Sequence, residues 1–145
     1  MTDADRVVAE LYARARAASD NAYSPYSGAR VGACVVDDDG NVYTGCNVEN
    51  SSYGLTQCAE RNALATAIAA GMKPGGGRML LIYATGFEAL APCGACRQVM
   101  SELLANDALI VSCHSETEYR SWSIKALLPD PFVLSSRENN HNDDI

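Results

Sequence analysis

Cys58-Ala59-Glu60-Arg61-Asn62-Ala63-Leu64-Ala65-Thr66-Ala67-Ile68-Ala69-Ala70-Gly71 decides how this chain folds. Strong helix formers fill the run, and Gly71 is a natural stop because it enters the left-handed conformation without steric cost. Cys58 therefore stands at or near a helix N-terminus. A second helix is written from Cys93 to Leu104, with Pro92 ahead of its start and Val99, Leu103 and Leu104 spaced for one apolar face. It opens Pro92-Cys93-Gly94-Ala95-Cys96, so two helix N-termini carry three cysteines between them. The partial positive charge at such ends lowers thiol pKa and favours thiolate.

Working outward, residues 2 to 19 place Val7, Val8, Leu11, Tyr12 and Ala15 at helical spacing behind the capping candidates Thr2 and Asp3. The turn-rich Ser24-Pro25-Tyr26-Ser27-Gly28 leads into an apolar run from Val31 to Val36. The acidic turn Asp37-Asp38-Asp39-Gly40-Asn41 separates that run from Val42 to Val48, a pattern that predicts a β-hairpin. After a loop over 51 to 57 and the Cys58 helix, Met79 to Thr85 predicts a buried strand. The Cys93 helix, a strand from Leu109 to Cys113 and a short helix from Ile124 to Leu128 complete the order αββαβαβα. That order implies an α/β fold, a three-layer α/β/α sandwich with a mixed sheet. The two cysteine-bearing helix starts then meet beside the ends of the central strands, where open α/β sheets hold ligands. With 145 residues and no internal repeat, one domain is expected over 1–136, and the polar run 137–145 is expected to be a disordered tail.

Cysteines so spaced suit zinc, which prefers four near-tetrahedral ligands. A structural site fills all four with protein. Here Cys58, Cys93 and Cys96 fill three and leave the fourth for water, whose pKa zinc lowers from about 15.7 toward about 7. Glu60 lies two residues from Cys58, near enough to face that water without being needed as a ligand, and is the candidate catalytic acid and base. Arg61 and Arg97 are candidate donors around the thiolates. By itself the Cys93-Gly94-Ala95-Cys96 pair reads as well as a redox couple, or as half of a structural zinc site, as it does as part of a catalytic one. Cys58 and Glu60 shift the reading to a catalytic metal. Cys34, Cys46 and Cys113 lie in β-branched or apolar surroundings and read as small buried hydrophobes, while His114 and His141 read as surface residues.

The chain carries a net charge of −7 and a pI near 4.7, and its eleven Lys and Arg residues are scattered. A nucleic-acid polymer would be repelled by such a surface, so a small neutral substrate is expected. Six cysteines, no signal peptide and no apolar run long enough to span a bilayer point to a reducing cytoplasm and no membrane.

Several ordered motifs carry a further implication: Pro25-Tyr26-Ser27, Val31-Gly32-Ala33, Gly45-Cys46-Asn47-Val48-Glu49-Asn50, Cys58-Ala59-Glu60-Arg61, Pro92-Cys93-Gly94-Ala95-Cys96-Arg97-Gln98 and Leu127-Leu128-Pro129. From about Tyr23 to Phe132 the sequence closely resembles the small zinc cytidine deaminases that act on free nucleosides. The resemblance implies a cytidine deaminase-like fold, a homotetramer with one Zn2+ per subunit, and hydrolysis of cytidine and deoxycytidine to uridine and deoxyuridine with release of ammonia. Glu60 would take a proton from zinc-bound water, protonate N3 as hydroxide adds at C4, and then protonate the leaving amine.

Asn47 and Glu49 match the family pair that binds the ribose 3′-hydroxyl, and residues two apart on a strand do project from one face. Ala59 matches the position whose backbone meets the pyrimidine. Phe132 resembles a C-terminal aromatic that reaches a neighbouring subunit's base pocket, with core packing as the plain alternative. Ala29 departs from the family, which usually has Phe there against the ring. That change raises a second reading, deamination of a bulkier or N4-substituted cytosine nucleoside of the blasticidin type. A non-catalytic zinc-stabilised interaction module explains the cysteines but requires neither Glu60 nor the Asn47/Glu49 pair. A polymer-editing deaminase wants a basic or aromatic surface that this acidic chain lacks.

Overall fold

Alternation along β1 (Val31–Asp37) divides the core in two. Ala33 and Val35 join Leu80, Ile82 and Ile110 on one side of the sheet, while Cys34 joins Leu81, Val111 and Cys113 on the other. Residues 1–134 are described in the computed structural model, and the expected polar tail, 137–145, lies outside them. Five strands form one mixed sheet in the order β2-β1-β3-β4-β5, the others being β2 (Val42–Cys46), β3 (Gly77–Ala84), β4 (Leu104–Cys113) and β5 (Tyr119–Ser123). β3 and β4 are parallel, whereas β1 is antiparallel to both neighbours and β5 is antiparallel to β4.

The helices α1 (Asp3–Ser19), α2 (Ala59–Ala69), α3 (Gly94–Leu103) and α4 (Ile124–Leu127) cover the two faces. Val8, Leu11, Tyr12 and Ala15 of α1 bury the Cys34 side, and Ala63, Leu64 and Ala67 of α2, Met100 of α3 and Ile124 and Leu127 of α4 bury the other. The α/β/α layering expected from the element order is thus present. α2 stops where its composition predicts, at Gly71 with φ of 110°.

Two glycines let helices lie directly on strands. A β-carbon on Gly45 would come within 2.3 Å of Ala63 N, and one on Gly32 within 1.8 Å of Ala15 O. β2 therefore presses its backbone against α2, and this close contact fixes where the first turn of α2, with Cys58 and Glu60, meets the sheet edge.

Three elements differ from the sequence reading. β4 begins at Leu104, directly at the end of α3, because Leu104 packs its side chain into the core as an extended residue instead of closing the helix. β2 ends at Cys46, and the chain beyond it bridges to other partners, Val48 with Tyr23 and with Gln57. β5 was not foreseen: it is an edge strand with no fully buried residue, so it carries little hydrophobic signal, and Arg120 lies over the Trp122 ring at 4.7 Å.

Thr2 caps α1 as expected, and Asp5 completes a capping box. The Asp5 carboxylate accepts from the Thr2 backbone N–H at 3.0 Å, from the Thr2 hydroxyl at 2.7 Å and from the Tyr119 hydroxyl at 2.8 Å, tying α1 to β5. These donors, the Thr2 backbone first, lower its pKa from 3.8 to about 2. A carboxyl depressed in the folded state stabilises fully above its unfolded value and loses that contribution as pH falls through the folded one. The melting-temperature gap between wild type and Asp5→Asn is therefore expected to be constant at neutral pH and to close as pH falls from 3.8 to about 2, checked by thermal melts across that range.

Candidate metal centre and substrate pocket

Cys58 and Cys93 occupy equivalent places in the fold, each the extended residue that caps the N-terminus of its helix, with ψ of 151° and 165°. Cys96 follows on the first turn of α3. The three Sγ atoms all lie within 4.8 Å of one another, and Cys58 Sγ is 3.9 Å from Cys93 Sγ. Sulfurs bound at about 2.3 Å to a tetrahedral zinc stand roughly 3.8 Å apart, so the spacing fits this ion. Thiol chemistry agrees. Hydrogen bonding from Cys96, then Arg61 and Cys93, lowers Cys58 to about 5, while Cys96 is pushed up, first by its bond to Cys58 and then by burial. Three thiolates so close need a divalent cation between them.

Arg61 Nη2 donates to Cys58 Sγ at 3.4 Å, as expected of a donor around the thiolates. Arg97 donates elsewhere, to the main-chain oxygens of Pro92 and Leu127. Glu60, in the first turn of α2, is only 6% exposed. Burial, and next the charge of Cys58, push its carboxyl above the usual range, so it holds a proton more readily than a surface glutamate does.

A cavity of about 260 Å³ opens over this centre, walled by Cys58, Ala59, Glu60, Cys93 and Asn47, with Val31, Ile82, Leu90 and Pro92 supplying apolar surface. The sequence reading did not name that apolar wall, whose residues come from three separate segments. The one local trace of it in the sequence is the apolar pair Leu90-Ala91 just ahead of Pro92-Cys93, which the sequence reading did not use.

Asn47 stands in the cavity wall with its amide engaged, accepting from Val31 N at 2.8 Å and donating to Ala29 O at 2.8 Å. Glu49 turns into an adjoining hollow with Tyr26, Ser27 and Tyr53, and Thr56 borders both spaces. Its carboxylate accepts from Tyr26 N and from both Ser27 N and Oγ. Asn47 thus lines the cavity and Glu49 the adjoining hollow, with Thr56 common to both. Ala29 is half-buried and reaches the site through its carbonyl on Asn47. Phe132 is 72% exposed, with its backbone held at both ends by Gln98. The two are not in the lining of the cavity.

Three converging sulfurs at the starts of two helices, beside a buried carboxylate that the metal does not need, define a zinc hydrolase on an α/β/α sandwich. The model of the cytidine and deoxycytidylate deaminase zinc-binding region matches residues 6–112. The cytidine deaminase of Mycobacterium tuberculosis is 43% identical over 126 residues, 86% of this chain and 88% of that one. That of Halalkalibacterium halodurans is 40% identical over 116 residues, 80% and 86% of the two chains. The crystal structure of the cytidine deaminase from Burkholderia pseudomallei superposes with a TM-score of 0.81 at 45% identity, covering 91% of this chain and all of that one. The chain belongs to the cytidine and deoxycytidylate deaminase family.

Proposed function

We propose that this protein hydrolyses cytidine and deoxycytidine to uridine and deoxyuridine, releasing ammonia, with one zinc ion per subunit. The observation that carries the reading is the placement of Cys58, Cys93, Cys96 and buried Glu60 around one small, largely apolar cavity. Zinc held by the three cysteines supplies the Lewis acidity that makes water nucleophilic at neutral pH. The chain's own residues do the rest.

Glu60 accepts the proton of the attacking water on its carboxylate and passes it to N3 of the pyrimidine as the C4–O bond forms. It then takes the remaining proton from the hydroxyl added at C4 and delivers it to the exocyclic nitrogen, so that the C4–N bond breaks as the C4 carbonyl forms, with ammonia as the leaving group. Burial, which raises its pKa, helps the carboxyl hold the proton between the two transfers. The Arg61 guanidinium offsets thiolate charge at Cys58. Apolar walls exclude competing water, Ala59 keeps the floor beside the ring small, and Asn47 and Glu49 orient the sugar.

The relatives from Mycobacterium tuberculosis and Halalkalibacterium halodurans are named cytidine deaminase, which favours that substrate over an N4-substituted one despite Ala29. The chain has a net charge of −7, and none of its helices among the described residues is long and apolar enough to cross a membrane. Six free cysteines suit a reducing cytoplasm. A homotetramer accounts for Phe132, whose ring stands exposed although its backbone is held in place. An ultraviolet deamination assay over cytidine, deoxycytidine, cytosine, adenosine and N4-methylcytidine tests the reading, with sedimentation run on the same sample. Uridine formation from cytidine is expected, and its absence from zinc-loaded protein would overturn the proposal.

A further inference from the structure

Pro92 is buried, and its carbonyl lies one residue ahead of the α3 cap. Leu127 is the last residue of α4, so its carbonyl is one of those a helix leaves unsatisfied at its C-terminus. One side chain serves both groups. Arg97 Nε donates to Pro92 O at 2.7 Å, and Nη1 of the same guanidinium donates to Leu127 O at 3.0 Å. The backbone N–H of Arg97 meanwhile donates to Cys93 O at 3.0 Å, so the fork is anchored on the turn that carries two of the sulfurs. α4 is a single turn, held by burial of Ile124 and Leu127, and a turn that short has no stability of its own.

We propose that Arg97 is a positioning residue for the metal. By tying the main chain ahead of Cys93 to the end of α4, it holds Cys93 and Cys96 at the spacing zinc needs and couples metal retention to the seating of α4. The inference rests on the zinc reading above and assigns Arg97 a target other than sulfur. Because such coupling is reciprocal, zinc uptake also steadies α4.

The test compares wild type with Arg97→Lys, Arg97→Gln and Gln98→Leu as full chains. A lysine offers a point charge where two carbonyls need a planar fork, so it does not replace the arginine. Zinc affinity, read by competition with a chromophoric chelator, is expected to fall about 10-fold or more in both Arg97 variants, within the range for lost supporting bonds around a metal. Gln98→Leu cuts only the Phe132 contact and is expected to keep wild-type zinc affinity. The sulfur-to-metal absorption of the cobalt-loaded protein is expected to shift in the Arg97 variants and not in Gln98→Leu. Hydrogen exchange at the Leu128 amide, which donates to Ile124 O at 2.9 Å, is expected to slow on zinc loading in wild type but not in Arg97→Lys. Wild-type zinc affinity and α4 protection in Arg97→Lys, or an equal loss of zinc in Gln98→Leu, would overturn the proposal. A wild type that takes up no zinc would sink the metal reading itself, and this role with it.

Discussion

Glu60→Gln is expected to retain zinc and fold while losing turnover by roughly 10³–10⁴-fold, the upper part of the range for a positioned acid–base group. The upper part applies because one carboxyl carries protons at more than one step, and an amide at that position carries none. The same substitution should not destabilise the protein. Glu60 is 6% exposed, and its ionisation is opposed by burial and by the neighbouring Cys58 charge, so a neutral isostere relieves a cost that the active site maintains. A melting temperature equal to or above that of wild type is therefore expected alongside the lost rate. Single-turnover kinetics, metal analysis and thermal melts on the same preparation check the three parts. A variant within a few-fold of wild-type rate would remove Glu60 from the chemistry, and one that lost its zinc would make Glu60 a ligand or a support of one.

What the chain discloses before folding depends on how local the cause is. Cys58, Glu60, Cys93 and Cys96 were legible because each lies within one turn of a helix start whose own sequence defines it, by Pro92 in one case and by the alanine-rich run ending at Gly71 in the other. Partners that are main-chain groups distant in sequence leave no such mark. The type of residue 127 does not reveal that its carbonyl receives Arg97, and nothing in Asn47 announces that its amide will pin Ala29 and Val31. The placement of Asn47 and Glu49 in adjoining hollows has the same origin. Strand alternation puts residues two apart on one face, but regular pairing of β2 with β1 ends at Cys46, and the following residues take their direction from bridges to Tyr23 and Gln57. The edge strand β5 escaped notice because its place is set by backbone pairing to β4 more than by buried side chains.

Replacing any one of the three cysteines by alanine is expected to lower zinc affinity by more than the roughly 10–100-fold that a lost supporting hydrogen bond costs, since a direct ligand is removed. The three positions should differ in what else is lost. Cys93 is exposed and its sulfur accepts from Cys96 N at 3.5 Å, so Cys93→Ala should release zinc and lower the metal-free melting temperature by no more than the loss of that helix cap. Cys96 is fully buried within the main core cluster, so Cys96→Ala adds the loss of packed sulfur to the loss of metal and should also melt lower without zinc. Cys58 is half-buried at the cap of α2 and should fall between them. Zinc stabilises whichever proteins bind it in the folded state, so a chelator should lower the wild-type melting temperature and leave that of Cys93→Ala unmoved. Metal analysis with melts in the presence and absence of chelator separates the ligand contribution from the packing contribution at each site. Full zinc occupancy in any of the three variants would strike that cysteine from the ligand set, and a chelator effect that persisted in Cys93→Ala would place a stabilising metal somewhere other than between these sulfurs.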